Sequence, residues 1–346
     1  MKKLFALLLA VMVTAAALAG CRTSGETLVI YTWENYVPPE VVADFERDTG
    51  IKVVYAGFST NEEMYASFAQ KADQYDIILC SDYIIDKMAS EGNLLHQIDS
   101  TRIKNYGNIN PDFMGLYFDP DNKYAIHYAN AGAILVYDSA RVDIPITGYK
   151  DLWHESLKES IVLLDGGRDI IGMTLMKMGE SINETDPEIL ERAKNDLLLL
   201  KPNVIAFNAD TPHESIIRGD ASVGYMFASQ AIAAQEALPS VTFVIPEEGV
   251  SYNVDCFVVS AQAPNLDNAY IFLNYILDGE VSAKASSIIN YAGCNSAARN
   301  YLPEAFKNNI AINLPPEVVS KAQIYMPLGD DEILYDIIWT EFKAAN

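Results

Sequence analysis

The stretch "YTWENYVPPEVVADFERDTGIKVVY" (Tyr31–Tyr55) decides how this 346-residue chain folds. It follows apolar Leu28–Ile30 and crowds Tyr31, Trp33 and Tyr36 around an acid and an amide, Glu34 and Asn35. Pro38 and Pro39 then open a segment with Val41, Val42 and Phe45 at helical spacing, closed by Gly50. Proline suits a first helical turn and glycine a helix end, so this segment reads as a helix between strands Leu28–Trp33 and Lys52–Phe58. A core needs no Glu at that handover, and an ordinary turn needs no Trp. The aromatic–acid cluster therefore asks for a function.

Outward from this stretch the same alternation continues. A second helix is expected with Asn61 as its cap and Met64, Tyr65 and Phe68 inward, then a strand over Tyr75–Cys80. A third helix opens after Ser81, buries Ile84, Ile85 and Met88, and stops at Gly92. The order β-α-β-α-β-α demands parallel strands with helices on the sheet faces. Further along, Ile161–Asp165, Val204–Asn208, Ser222–Phe227 and Val241–Pro246 read as buried strands. Helices are expected over Pro187–Leu200, capped by Asp186, and over Asn268–Asn290, and the Met173, Met176, Met178 run reads as core. Asn130–Val142 and Tyr252–Ser260 read as extended crossings between two α/β lobes that enclose one cleft.

Composition narrows the function. Residues 1–20 read as a signal peptide, with Lys2 and Lys3 ahead of an apolar Leu4–Leu18 too short for a comfortable membrane span. The run ends in "LAGC" (Leu18–Cys21), which resembles the lipobox of bacterial lipoproteins. That resemblance implies diacylation of Cys21, a tether over residues 21–26, and an exported, periplasmic chain anchored to a membrane by lipid alone. Without Lys2 and Lys3 the basic count falls from 24 to 22 against 47 acids, a net of −25. Such a balance opposes nucleic-acid binding and favours cationic partners. Cys80, Cys256 and Cys294, odd in number and widely spaced, read as buried free thiols. No phosphate-loop, HExxH or GxSxG pattern occurs, and His96, His127, His154 and His213 lack metal-ligand spacing, so neither a metal nor a cofactor is expected. "DGGRD" (Asp165–Asp169) is glycine-rich after a strand, but its acids oppose an anion.

In open α/β sheets, ligands bind beyond the carboxyl ends of the strands. Trp33, Glu34, Asn35 and Tyr36 end the first strand, Ser81, Asp82 and Tyr83 the third, and Asp169 follows "IVLLD". Aromatic faces beside carboxylates suit an organic cation. The ring quadrupole attracts an ammonium by up to ~2 kcal/mol when desolvated, and a carboxylate adds a charge-assisted hydrogen bond. Asp255, set between Val254 and Cys256 in an apolar crossing, needs a partner because burying a bare carboxylate is costly. The same residues also admit structural roles: Trp33 and Tyr36 as core aromatics, Ser81 or Asp82 as a helix cap, Asp169 as the cap of a helix starting near Ile170.

Several blocks in order, the opening stretch, "YDIILCSDYIIDKM" (Tyr75–Met88), "NINPDFM" (Asn108–Met114), "FDPDNKYAIHY" (Phe118–Tyr128), "KPNVIAFNAD" (Lys201–Asp210) and "INYAGCNSAAR" (Ile289–Arg299), resemble the bacterial periplasmic spermidine/putrescine-binding proteins. The resemblance runs from about Thr27 to Lys343. It implies a two-lobe flytrap fold, with residues 27–131 plus 257–305 in one lobe and 132–256 plus 306–346 in the other. It further implies a monomeric receptor, no catalysis, and delivery of a polyamine to an inner-membrane ABC permease. By position it gives Trp33 a stacking role beside Tyr36, places Ser81 and Tyr83 on the second loop, makes Asp169 and Asp255 the acids, and has Tyr291 close the pocket. The chain also departs from the family pattern. The order Glu34–Asn35 is unusual, Gly166 stands where a spermidine-type acid is expected, Phe227 replaces a Trp, and Asn253 replaces an aromatic with Tyr252 beside it. Asp82 replaces a neutral residue and is a candidate to supply a lost charge. Which of Glu34, Asn35 and Asp82 meets the ammonium stays open, and the loss at Gly166 leans towards the shorter diamine. Two rival readings remain: another small cationic or zwitterionic solute, and an extracytoplasmic carboxylate-dependent hydrolase.

Overall fold

The computed structural model describes residues 27–345; the signal peptide, Cys21 and the tether lie outside the described residues. The parallel start expected from the sequence is present. β1 (Thr27–Thr32) pairs with β2 (Lys52–Gly57), from Thr27 opposite Lys52 to Thr32 opposite Gly57, and with β3 (Ile77–Ser81) through Ile30 and Tyr31. Helix α1 (Pro39–Thr49) joins β1 to β2, α2 (Asn61–Phe68) leads towards β3, and α3 (Asp82–Ser90) follows it. Gly50 ends α1 at φ 76°, a left-handed conformation that costs glycine no Cβ clash.

Strand β4 (Ile126–Asp138) then carries the chain into a second set built from β5 (Ile161–Leu163), β6 (Val204–Phe207), β7 (Val223–Phe227) and β8 (Val241–Val244). Helices α4 (Gly167–Met178), α5 (Pro187–Leu200), α6 (Pro212–Ile217) and α7 (Ala228–Ala237) belong to this half. Strand β9 (Ser251–Val259) returns to the first half, where α8 (Leu266–Ile276), α9 (Gly279–Ile289) and the short β10 (Ala292–Gly293) follow. The chain ends with α10 (Glu304–Lys307), α11 (Pro316–Val319), β11 (Gln323–Ile324) and α12 (Glu332–Ala344).

The strand order is β2-β1-β3-β9-β4-β7-β5-β6. Two parallel sets, β2-β1-β3 and β7-β5-β6, thus flank the antiparallel pair β9–β4. Side chains alternate across a strand, and the cores follow. Ile77 and Leu79 join a cluster with Phe45 and Phe272, whereas Ile78 and Cys80 join one with Met64 and Phe68. Ile161 and Leu163 likewise pack with Ile171 and Phe342, while Val162 packs with Ile134 and Met226. Each parallel set is therefore covered on both faces, giving two lobes across the β9–β4 pair.

Three expectations change. The Asn268–Asn290 helix is two helices, because the Asp278 side chain accepts from the backbone N–H of Glu280 and Val281 and starts a new one. Gly279 lies so close to Ala297 that a Cβ there would stand 3.0 Å from the Ala297 methyl. The cap of α2 is Thr60, which accepts from Glu63 N–H, and the Asn61 side chain is released for another task. A short strand absent from the sequence expectations, β11, pairs in parallel with β9 at Ser251 and Tyr252. Cys80, Cys256 and Cys294 are free and buried.

Candidate functional site

A cleft of ≈ 1400 Å³ receives residues from both parallel sets. Ten of the eleven residues singled out from sequence line it: Trp33, Glu34, Asn35, Tyr36, Ser81, Tyr83, Asp169, Phe227, Asp255 and Tyr291. Asp82 does not.

Asp255 is the centre of the arrangement. In β9 it stands opposite Ser81 of β3 on one side and Ala129 of β4 on the other. Only 5% of it is exposed. Tyr36 Oη donates to its Oδ2 at 2.7 Å, Ser81 Oγ to its Oδ1 at 2.7 Å, and Asn253 Nδ2 to the same oxygen at 3.2 Å. These donors favour the ionised form, but burial outweighs them and raises its pKa. Tyr36 is itself held edge-on by Trp33, Tyr128 and Tyr291, with centroids 5.5, 5.7 and 5.6 Å away. The turn that presents Trp33 and Tyr36 together needs a left-handed residue, and Asn35 supplies it at φ 58°. Asn tolerates that conformation better than most side chains. The unusual Glu34–Asn35 order thus has a backbone reason. Tyr31 belongs to the core, stacked on Tyr75 at 4.3 Å.

Asp169 comes from the other side, in the first turn of α4. It accepts from Tyr325 Oη at 3.0 Å, and burial pushes its pKa up to about 6. A Cβ at position 166 would stand 2.3 Å from Asp169 Oδ2, so the glycine leaves room for that carboxylate as it is oriented.

Asp82 is a correction. It is 1% exposed, turned behind the cleft, where Tyr83 N–H donates to it at 2.8 Å and Val254 N–H at 3.3 Å. Burial, reinforced by the Asp255 charge, raises its pKa to about 8. A carboxyl that is largely protonated at neutral pH and faces away from the cleft does not replace a lost charge. The strand-to-helix junction explains it: Ser81 ends β3 with its side chain on Asp255, and Asp82 opens α3 with its carboxyl taken by backbone N–H groups.

Other lining residues escaped the sequence reading. Asn61 Nδ2 donates to Ser81 Oγ and to Tyr83 Oη, each at 3.1 Å, and Tyr83 Oη donates to Glu62 Oε1 at 2.9 Å. Asn61 was masked by its cap-like position, and nothing local marked Glu62. Among the described residues that line the cleft, Arg168 is the one cation, against ten carboxylates. Its guanidinium is engaged elsewhere, donating to Asn183 Oδ1 at 2.8 Å and Met326 C=O at 3.2 Å beside the Tyr325 and Tyr335 rings. Among the described residues no group of three or more His, Cys, Asp or Glu is placed to hold a metal ion, and no helix is long and apolar enough to cross a membrane. The donors around Asp255 are spent on its oxygens, so this part of the cleft offers a ligand acceptors, negative charge and aromatic faces.

Residues 40–313 match the family described as bacterial extracellular solute-binding protein. The chain is 34% identical to the spermidine/putrescine-binding periplasmic protein of Salmonella typhimurium over 100% of both chains. A solved structure from Listeria monocytogenes, described as a candidate spermidine/putrescine ABC transporter, superposes with a TM-score of 0.88 at 30% identity, over 93% of this chain and 100% of that one. The spermidine/putrescine ABC transporter substrate-binding protein PotD of Streptococcus pneumoniae gives 0.81 at 33% identity, over 92% and 99%. With this likeness along its whole length and two lobes meeting at an acidic, aromatic cleft, the chain belongs to the bacterial extracellular solute-binding protein family.

Proposed function

We propose that this protein captures a linear polyamine, putrescine or spermidine, and hands it to an inner-membrane ABC permease. The observation that carries this reading is Asp255, a desolvated carboxylate with three donors already in place at the wall of an aromatic-lined cleft. An arriving ammonium supplies the positive charge that burial denies it, and Trp33, Tyr36 and Tyr291 offer faces to the cation and its methylene stem. The lobes, taken as residues 27–131 with 257–305 and 132–256 with 306–346 except that Asp255, paired with Ser81 of β3, stands on the first, close on the ligand because only the closed form contacts it from both sides. The protein acts as an exported, lipid-anchored monomer tethered through Cys21, and it binds without transforming its ligand. The names of the Salmonella and Streptococcus relatives support the ligand class.

Calorimetric titration with putrescine and spermidine, paired with thermal-shift measurements, tests the proposal. Heat and a raised Tm with either polyamine are expected. Absence of both would overturn it, and displacement of the polyamine by an amino acid at equal concentration would redirect it to a zwitterionic solute.

A further inference from the structure

A linear polyamine carries more than one ammonium, and Asp255 accounts for one. Four atom-to-atom hydrogen bonds lead away from it along the cleft wall. Ser81 Oγ donates to Asp255 Oδ1 at 2.7 Å, Asn61 Nδ2 donates to Ser81 Oγ at 3.1 Å and to Tyr83 Oη at 3.1 Å, and Tyr83 Oη donates to Glu62 Oε1 at 2.9 Å. The central amide gives one N–H to each hydroxyl, and each hydroxyl passes its own proton to a carboxylate. No donor of the rail is left over; what remains unfilled is acceptor capacity at its two ends.

We infer that Glu62 receives the second ammonium of the bound polyamine, an assignment that rests on the polyamine reading above. Because the four contacts share atoms, they bound the Asp255–Glu62 oxygen separation at just under about 12 Å. An extended four-carbon diamine holds its nitrogens ~6 Å apart. With a charge-assisted contact of ~2.8 Å at each end it spans ~12 Å. One such diamine is therefore long enough to reach both carboxylates, while a longer triamine has an ammonium to spare. The Glu62 charge is also felt in the opposite lobe. Its charge adds to burial in raising the pKa of Asp169 on α4 and of Glu332 on α12, with Arg168 opposing both shifts and Lys87 opposing that of Glu332. Carboxylates of the two lobes thus repel one another across the cleft, and an ammonium placed between them turns that repulsion into attraction.

The test compares a diamine with a monoamine that has only the first ammonium. Wild type, Glu62→Gln and Asp255→Asn are titrated with putrescine and, by displacement, with n-butylamine. In Glu62→Gln the introduced amide oxygen still accepts from Tyr83 and the position is exposed, so folding is preserved. Glu62→Gln is expected to weaken putrescine about tenfold, as loss of a charge-assisted contact implies, and to leave n-butylamine within about twofold. Asp255→Asn is expected to weaken both. Putrescine binding to Glu62→Gln within twofold of wild type, or equal losses for the two amines, overturns the inference. If wild type binds no amine at all, the polyamine reading falls first and the inference with it.

Discussion

Replacing Asp255 by Asn separates what the carboxylate does for the ligand from what it does for the fold. The side chain keeps its size, and Tyr36, Ser81 and Asn253 still surround it. Truncating one partner of a buried, hydrogen-bonded charge pair costs about 2–5 kcal/mol. An amide still offers its carbonyl oxygen to an ammonium, so the lower end applies, about 2 kcal/mol or roughly thirtyfold in Kd. The ligand-free protein responds in the opposite sense. Since the folded-state pKa of Asp255 is raised, keeping it ionised opposes folding, and its stabilising contribution is present below the unfolded pKa and lost as pH rises through the folded value. Asn carries no such burden. Asp255→Asn should therefore bind putrescine at least tenfold more weakly by calorimetry at pH 7.5, while its ligand-free Tm falls less between pH 4 and pH 7.5 than that of wild type. An unchanged Kd would remove Asp255 from the site. Reduced affinity with an unaltered Tm–pH profile would refute the argument that burial, and not hydrogen bonding, dominates its electrostatics.

Asp169, at about 6, loses its proton when a cation arrives, so putrescine affinity should rise from pH 5 to pH 8 with proton release in buffers of differing ionisation enthalpy; a flat profile would count against its contact with the ligand. In the ligand-free protein the raised values of Asp169, about 6, and Asp82, about 8, give stability that is full below about pH 4 and is lost as pH climbs to 8, measurable as a falling Tm. Tyr36→Phe removes one charge-assisted bond to Asp255 but keeps the ring, and should cost about 1.5 kcal/mol of putrescine affinity, roughly tenfold; a loss under twofold would show that the hydroxyl does not tune the carboxylate. Cys80, Cys256 and Cys294, buried with their pKa values raised by burial, should react with a thiol reagent only after denaturation, whereas reaction of the native protein would contradict their packing.

Short-range signals carried much of this molecule. Prolines and Gly50 marked α1, three apolar runs marked the first parallel set, and an acid inside an apolar strand marked Asp255. What could not be read lies in contacts between distant positions. Tyr325 reaches Asp169 across 156 residues because β11 pairs with β9, and a two-residue strand leaves almost no periodicity to detect. Asp82 illustrates the opposite failure. Sequence proximity to Ser81 and Tyr83 suggested shared exposure, yet the strand-to-helix junction turns alternate side chains to different sides. The single helix expected over Asn268–Asn290 is two because an Asp can serve as an exposed mid-helix residue or as a cap, and Asp278 takes the cap, accepting from Glu280 and Val281 N–H.

The donors that hold Asp255 come from β3, from the turn after β1 and from β9 itself, whereas Asp169 and Tyr325 stand across the cleft. This unequal division has a kinetic consequence. The first half of the site is fully assembled without any help from the second, so a diffusing ligand docks there, and the opposing half acts as a latch. Substitutions around Asp255 should then weaken docking itself, and those around Asp169 should shorten how long the docked ligand stays. Release of the ligand then needs only the latch undone, with the docking half left intact for the next arrival.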